Sequence, residues 1–136
     1  MIAAISSHQE NIYSKYKKGY LNSDETIIFI RFLKRSNAGK KIALFLDNCS
    51  IHTAKKVKEY LAFKKIPYVY NLPYSPRFNG IERLWAQMKL RFRDKLATLK
   101  VNSQIYQIEA VIEEVENSIS GSTVIACARS GWKHIF

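Results

Sequence analysis

Cysteine, proline and glycine are all scarce in this 136-residue chain. Two cysteines, Cys49 and Cys127, are too few for a disulfide scaffold and lack the spacing of a metal-binding pair. We interpret them as reduced thiols of an intracellular protein. With three prolines and five glycines, the chain contains no internal repeat, low-complexity tract or linker, which excludes fibrous and repeat architectures.

Long hydrophobic runs are missing as well. No run is long enough to span a bilayer. Residues 1–13 contain no basic leader and too short an apolar stretch for a signal peptide. Neither end carries a basic amphipathic helix with a bulky apolar face. The sequence therefore predicts a protein without a membrane partner, in the cytoplasm or nucleoid of a bacterium or the nucleus of a eukaryote.

Acidic residues are half as numerous as basic ones, 11 against 22, which gives a net charge of +11. Residues 53–100 hold twelve Lys or Arg against three acids, whereas residues 101–136 hold two against four. A local positive field suits a phosphate backbone, because each paired phosphate releases counterions. A solvated basic surface is the alternative that charge alone leaves open. A hydrophobic content of 47% predicts one folded domain over residues 1–136.

The N-terminal part of the chain is predicted to contain two strands and a helix. Residues 2–6 are short and apolar, and residues 11–20 alternate apolar or aromatic with polar side chains. Asn22 followed by Glu25 has the spacing of a capping box, which predicts a helix start. The helix is expected to bury the following side chains: Ile28, Phe29, Phe32 and Leu33.

The middle of the chain predicts a strand–helix–strand unit. Residues 42–46 are all apolar, as in a central parallel strand covered by helices on both faces. Ser50 is expected to cap one helix that buries Ile51, Ala54, Val57 and Leu61. Residues 66–70 then predict the next strand, reached by a crossover connection.

The remainder is predicted to be helical. One apolar stripe consists of Ile81, Leu84, Trp85, Met88 and Phe92, while Glu82, Lys89 and Arg93 share a different face. A second stripe consists of Ile105, Ile108, Ile112, Val115 and Ile119. A last helix is expected over residues 123–132, after a break at Gly121. The class is α/β with helices accumulating towards the C-terminal end.

Two acids stand at the ends of predicted elements, Asp47 after a strand and Glu82 in the first turn of a helix. Open α/β sheets bind ligands beyond the carboxyl ends of their strands. Mg²⁺ commonly takes one or two carboxylates together with substrate phosphate oxygens. The alternative is a local structural role for each acid, because an Asp after a strand is most often a turn residue and a Glu in the first turn of a helix suits the helix dipole.

Two segments, LDNCSIHTAKKVKEYL and LPYSPRFNGIERLWAQMK, resemble the endonuclease domain of mariner-like DDE transposases. The family pattern is matched by Asp47, Asn48, His52, Pro73, Tyr74, Ser75, Pro76, Asn79, Ile81, Glu82, Trp85 and Lys89. Thirty-four residues separate Asp47 from Glu82, a spacing similar to the family's. The resemblance implies a ribonuclease H-like fold, with a mixed sheet flanked by helices.

The resemblance also implies a metal-dependent site that cuts a phosphodiester at a transposon end and transfers the freed 3′-hydroxyl to target DNA. Asp47 and Glu82 would be the second and third catalytic acids, and both would hold Mg²⁺ or Mn²⁺. Nucleic-acid contacts are expected from Lys89, Arg93, Arg77, His52 and Asn48. Trp85 is expected in the core rather than stacked on DNA.

This sequence departs from the family pattern in two ways. Gly80 stands where Pro is usual, and glycine is readily accommodated before a helix start. The family's first acid, at the end of a first strand, has no match here, since Asp24 lies in a helix cap that matches a different family segment and Glu10 sits between two candidate strands. We therefore expect an incomplete domain lacking the first strand: a fragment, a decayed copy or part of a split gene. It should be inactive alone, and should assemble with itself or with an upstream fragment.

Two alternatives stay open at this point. The chain could be a non-catalytic DNA-binding remnant with the same fold. It could also be an unrelated basic α/β module in which both acids serve as caps.

Overall fold

The computed structural model describes residues 1–130. Contacts within this part of the chain divide it into two compact units. The first unit comprises Met1–Ala3 and Tyr13–Asn79; the second comprises Ala4–Ile12 and the described residues from Gly80 onwards. The single domain predicted over residues 1–136 stays a prediction.

The two predicted N-terminal strands are confirmed. They are β1, Ile2–Ile5, and β2, Ile12–Lys15, and they pair with each other as a two-stranded sheet. Strand β2 covers only the first part of the alternating segment predicted over residues 11–20.

Helix α1, Ser23–Ser36, begins where the sequence predicts. The Asn22 side-chain oxygen accepts hydrogen bonds from the backbone N–H groups of Asp24 and Glu25, at 3.0 and 3.1 Å. The buried face consists of Thr26, Phe29, Ile30 and Leu33. Ile28 and Phe32, predicted to be buried, are exposed. The buried side chains follow a spacing of three and four residues from Thr26, which rotates the face away from the predicted pair.

Strands β3, Leu44–Leu46, and β4, Tyr68–Tyr70, are parallel, with Leu44 opposite Tyr68. Two helices connect them, α2, Ser50–Thr53, and α3, Lys55–Phe63. The prediction of a single helix capped by Ser50 is therefore wrong, because Cys49 is the N-cap and the backbone leaves the helical conformation at Ala54, with φ −53° and ψ 140°. Val57 and Leu61 are fully buried, as predicted.

The core of the first unit is formed by four buried side chains from α1, from α3 and from the approach to β4: Ile30, Val57, Leu61 and Ile66. Leu44 and Leu46 pack against it from one face of β3, since alternate residues of a strand share a face. Val69 of β4 alternates to the opposite face and is exposed. All three residues of β3 are only half-buried, so the prediction of a strand buried on both faces is wrong.

The second unit contains α4, Ile81–Val101, α5, Ile108–Asn117, and α6, Gly121–Ser130. The predicted stripe of α4 is confirmed, with Leu84 and Met88 buried and its other members half-buried. The Arg91 guanidinium donates to the Ser118 carbonyl, and the Lys95 ammonium pairs with the Glu114 carboxylate at 2.5 Å. Both contacts join α4 to the α5 segment.

The predicted stripe of α5 is confirmed only at Val115 and Ile119, which are buried. Ile105 and Ile108 are exposed, and Val111 is buried in place of the half-buried Ile112. The chain leaves the helical conformation between α4 and Ile108, so the helical period does not extend back to Ile105. Gly121 begins α6 instead of preceding it as a break, and the predicted extension to Trp132 lies outside the described residues. None of the helices in residues 1–130 is long and apolar enough to cross a membrane.

Candidate functional site

Asp47 directly follows β3, where the sequence places it. Its Oδ1 accepts a hydrogen bond from the Cys49 backbone N–H at 3.2 Å and lies 2.5 Å from His52 Nδ1. Asp47 therefore does form a local turn, and His52 does make a local hydrogen bond. Both contacts use Oδ1, so within residues 1–130 they orient the carboxylate and leave Oδ2 for another ligand.

The electrostatics of this pair keep Asp47 ionised. The hydrogen bond to His52 is the largest cause of a pKa below the ordinary value of 3.8. Burial acts in the opposite direction, while the charge of His52 and the Cys49 N–H add to the lowering of the pKa. An ionised, oriented carboxylate with one open oxygen is a suitable donor for a hard divalent cation.

Replacing His52 by alanine should raise the pKa of Asp47, because the largest cause of its lowering is removed. A carboxylate with a lowered pKa contributes stability above its unfolded-state pKa, and that stability is lost as pH falls through the folded-state value. Unfolding of the native chain should therefore become easier below about pH 4. The chemical shift of the Asp47 carboxyl carbon, followed by NMR against pH in the native chain and in His52→Ala, measures the change in pKa.

His8→Ala is the matched control, since His8 contacts Ser7 and belongs to the second unit. It should leave the titration of Asp47 unchanged. An unchanged titration in His52→Ala would show that the contact between His52 and Asp47 does not form in solution.

The end of β4 supports the Asp47 turn through groups that sequence reasoning missed. The Tyr70 hydroxyl donates to the His52 carbonyl at 2.9 Å. Asn71 is buried; its N–H donates to the Leu46 carbonyl at 2.7 Å, and its side chain donates to the Ser75 carbonyl at 2.8 Å. These bonds join the ends of the two parallel strands. An asparagine directly after an aromatic strand was the available signal, because such residues bond to nearby backbone.

Asn48 and Arg77 were predicted to contact nucleic acid, and both are exposed in the first unit. The Asn48 side-chain amide donates to the Asn71 carbonyl, so it also holds the two strand ends together. Arg77 lies in a 3₁₀ turn, Pro76–Phe78, with its guanidinium 4.9 Å from the centre of the Phe78 ring. Their nucleic-acid contacts stay predictions.

Glu82 lies exposed in the first turn of α4, in the second unit. Lys89 and Arg93 are exposed seven and eleven residues later, on the same face. Sequence reasoning missed Lys100, which is exposed eighteen residues after Glu82, or five turns of about 3.6 residues each. One face of α4 thus carries an acid at its start and three cations along its length.

The structure brings Asp47 together with His52, and it places Glu82 on one helical face with Lys89 and Arg93. Asp47 and Glu82 belong to different units. Their joint binding of one ion stays a prediction.

Comparison with known proteins identifies the family. The sequence model described as DDE superfamily endonuclease matches residues 1–105. The chain belongs to this family. Its members generally use divalent metal ions, which agrees with the donor chemistry of Asp47. The alternative of an unrelated basic α/β module is therefore wrong.

Two individual proteins are similar to this DDE endonuclease chain. The uncharacterized 39 kDa protein of insertion element IS630 from Shigella sonnei is 38% identical in an alignment over 69 residues that covers 47% of this chain and 20% of that protein. The chain therefore spans about a fifth of the length of this curated relative. The catalytic core domain of BIV integrase superposes with a TM-score of 0.61 at 18% identity, covering 85% of this chain and 71% of that one. This likeness confirms the predicted ribonuclease H-like α/β fold.

Proposed function

We propose that this chain is catalytic-domain material of a DDE transposase, which cuts DNA at transposon ends and joins them to target DNA. The observation that carries the proposal is the Asp47 carboxylate, held through Oδ1 by His52 and Cys49 with Oδ2 left open. The contact with His52 keeps this carboxylate ionised and oriented, as a metal ligand must be. Family membership supports this interpretation.

The proposed metal ligands are Asp47 and Glu82, and the proposed ion is Mg²⁺, with Mn²⁺ as a substitute. Such an ion would activate the attacking oxygen and stabilise the leaving oxygen of a phosphodiester. His52 fixes the orientation of Asp47, and its own carbonyl is held by Tyr70. The cations of α4 and Arg77 would neutralise the DNA backbone, since Lys and Arg contacts to phosphates position a protein on DNA.

Mn²⁺ binding, measured by electron paramagnetic resonance of the free ion, tests the proposal. Asp47→Asn and Glu82→Gln should each weaken binding about tenfold or more, because each removes one anionic oxygen donor. If both acids hold the same ion, the loss of Mn²⁺ binding free energy in the double variant should be smaller than the sum of the two single losses, which is the coupling expected of two ligands of one ion.

Asp94→Asn is the matched control, because Asp94 is an exposed acid on a different face of α4. It should leave Mn²⁺ affinity unchanged. The non-catalytic remnant is favoured instead if the control and the two site variants all bind Mn²⁺ as the native chain does while DNA binding persists.

A further inference from the structure

Asp47, Cys49 and His52 form a compact group of potential metal ligands. One carboxylate oxygen, one thiol sulfur and one imidazole nitrogen all lie within 4.8 Å of one another. All three residues are partly exposed, so that an ion can reach them. Since they come from six consecutive residues of the first unit, their geometry is set by one short stretch of chain.

The local fold explains why these side chains converge. The Cys49 N–H donates to Asp47 Oδ1 at 3.2 Å, which turns the chain back directly after β3. Helix α2 then returns His52 to the same oxygen, at 2.5 Å from Nδ1. The Tyr70 hydroxyl, at 2.9 Å from the His52 carbonyl, holds the end of this helix against β4. The group is therefore ordered before any ion arrives.

We propose that Asp47, Cys49 and His52 bind a zinc ion. Zinc accepts sulfur, nitrogen and oxygen together, commonly as three protein ligands with water in the fourth position. Mg²⁺ takes oxygen donors, so the thiol and the imidazole favour a borderline metal over a hard one. The site is distinct from the proposed Mg²⁺ site in its ligands and shares only Asp47 with it.

The distances allow such binding after a small adjustment. No two of the three ligand atoms are more than 4.8 Å apart. Even a triangle with every side at that upper limit would place its corners about 2.8 Å from its centre, within about half an ångström of the roughly 2.0–2.3 Å length of zinc bonds. The contact between Asp47 and His52 opens to admit the ion, and the thiol proton passes to solvent, because the metal binds the thiolate.

Zinc bound here would withdraw the Asp47 carboxylate from Mg²⁺. This consequence rests on the proposed function, whereas zinc binding itself does not. Cys49 is the ligand that separates the two sites, since the proposed Mg²⁺ site uses only its backbone N–H, which serine keeps, and not its thiol. In Cys49→Ser, Mn²⁺ should therefore bind as in the native chain, and zinc should displace it far less effectively.

Cobalt(II) serves as the spectroscopic substitute for zinc in the test. Titration of the full chain should produce thiolate-to-cobalt charge-transfer absorption and the visible bands of four-coordinate cobalt, and zinc should abolish both. Cys49→Ser should lose the charge-transfer absorption, and His52→Ala should weaken cobalt binding about tenfold or more. Cys127→Ser is the matched control, because Cys127 is buried in the second unit. The cobalt spectrum of this variant should equal that of the native chain.

Charge-transfer absorption that survives in Cys49→Ser, or that never forms in the native chain at saturating cobalt, would overturn the zinc site. Should Cys49→Ser fail to fold, alkylation of the native chain replaces it: zinc should protect Cys49, and unprotected Cys49 overturns the proposal. Native-like Mn²⁺ binding without any cobalt–thiolate spectrum would reject the zinc site and keep the proposed function. A cobalt–thiolate spectrum without Mn²⁺ binding at Asp47 and Glu82 would reject the proposed function and keep the zinc site.

Discussion

The affinity of this chain for double-stranded DNA should fall about 40-fold when monovalent salt rises from about 50 to about 200 mM. The exposed face of α4 presents Lys89, Arg93 and Lys100. Three neutralised phosphates give a slope of about −2.7 in log affinity against log salt, at about 0.9 per phosphate. Fluorescence anisotropy with labelled duplexes, repeated at several salt concentrations, measures this slope.

The same duplexes should bind almost equally well whatever their sequence. Contacts from Lys and Arg to phosphates fix position on the duplex but carry no sequence information. A strong preference for one short sequence at physiological salt would contradict this expectation, because it would require contacts to base edges.

A pair of double variants tests whether the face of α4 or the overall positive charge of the chain binds DNA. Charge reversal at Lys89 and Arg93 should weaken DNA binding and flatten the salt slope. Charge reversal at Lys40 and Lys41 changes the net charge equally, at two exposed lysines that precede β3. Equal losses in the two double variants would show that general basicity, and not this face, binds the phosphate backbone.

Features that depend on neighbouring residues were predictable from the sequence. The apolar run at residues 42–46 predicts both a strand and the position of Asp47, because a strand that ends on an acid presents that acid at the sheet edge. Asn22 predicts its helix start for a similar reason, since capping joins residues only two or three apart. In both cases the decisive contacts are local.

Features that depend on distant residues were not predictable. The role of Asn71 arises only when β3 and β4 pair, because its N–H donates to the Leu46 carbonyl across the sheet. The break at Ala54, which divides the single predicted helix into α2 and α3, was missed as well. Apolar periodicity cannot indicate such a break, since Ile51, Ala54, Val57 and Leu61 continue the helical pattern across it.

Gly80 is the clearest case of a residue explained only by packing. The sequence suggests that glycine is merely accommodated before α4. In the second unit, a Cβ atom at Gly80 would lie against the backbone carbonyl of Cys127 in α6, closer than side chains approach backbone atoms in real structures. Gly80 is buried and has φ −59° and ψ −21°, a conformation open to any residue. Its requirement is therefore the close approach of α6 and not an unusual backbone angle.

Gly80→Ala should destabilise the chain by about 1–3 kcal/mol, the usual cost of forcing an extra carbon into a packed interior. The sign of the change makes the test sharp. At helical backbone angles without a steric clash, the same substitution should stabilise by about 0.4–1 kcal/mol, because alanine restricts the unfolded chain. Urea unfolding followed by circular dichroism measures the difference.

The control is Ala86→Gly at an exposed position of α4, which should cost about 1 kcal/mol from helix propensity alone. A stabilised Gly80→Ala chain would mean that α6 does not pack against the start of α4, the helix that carries Glu82.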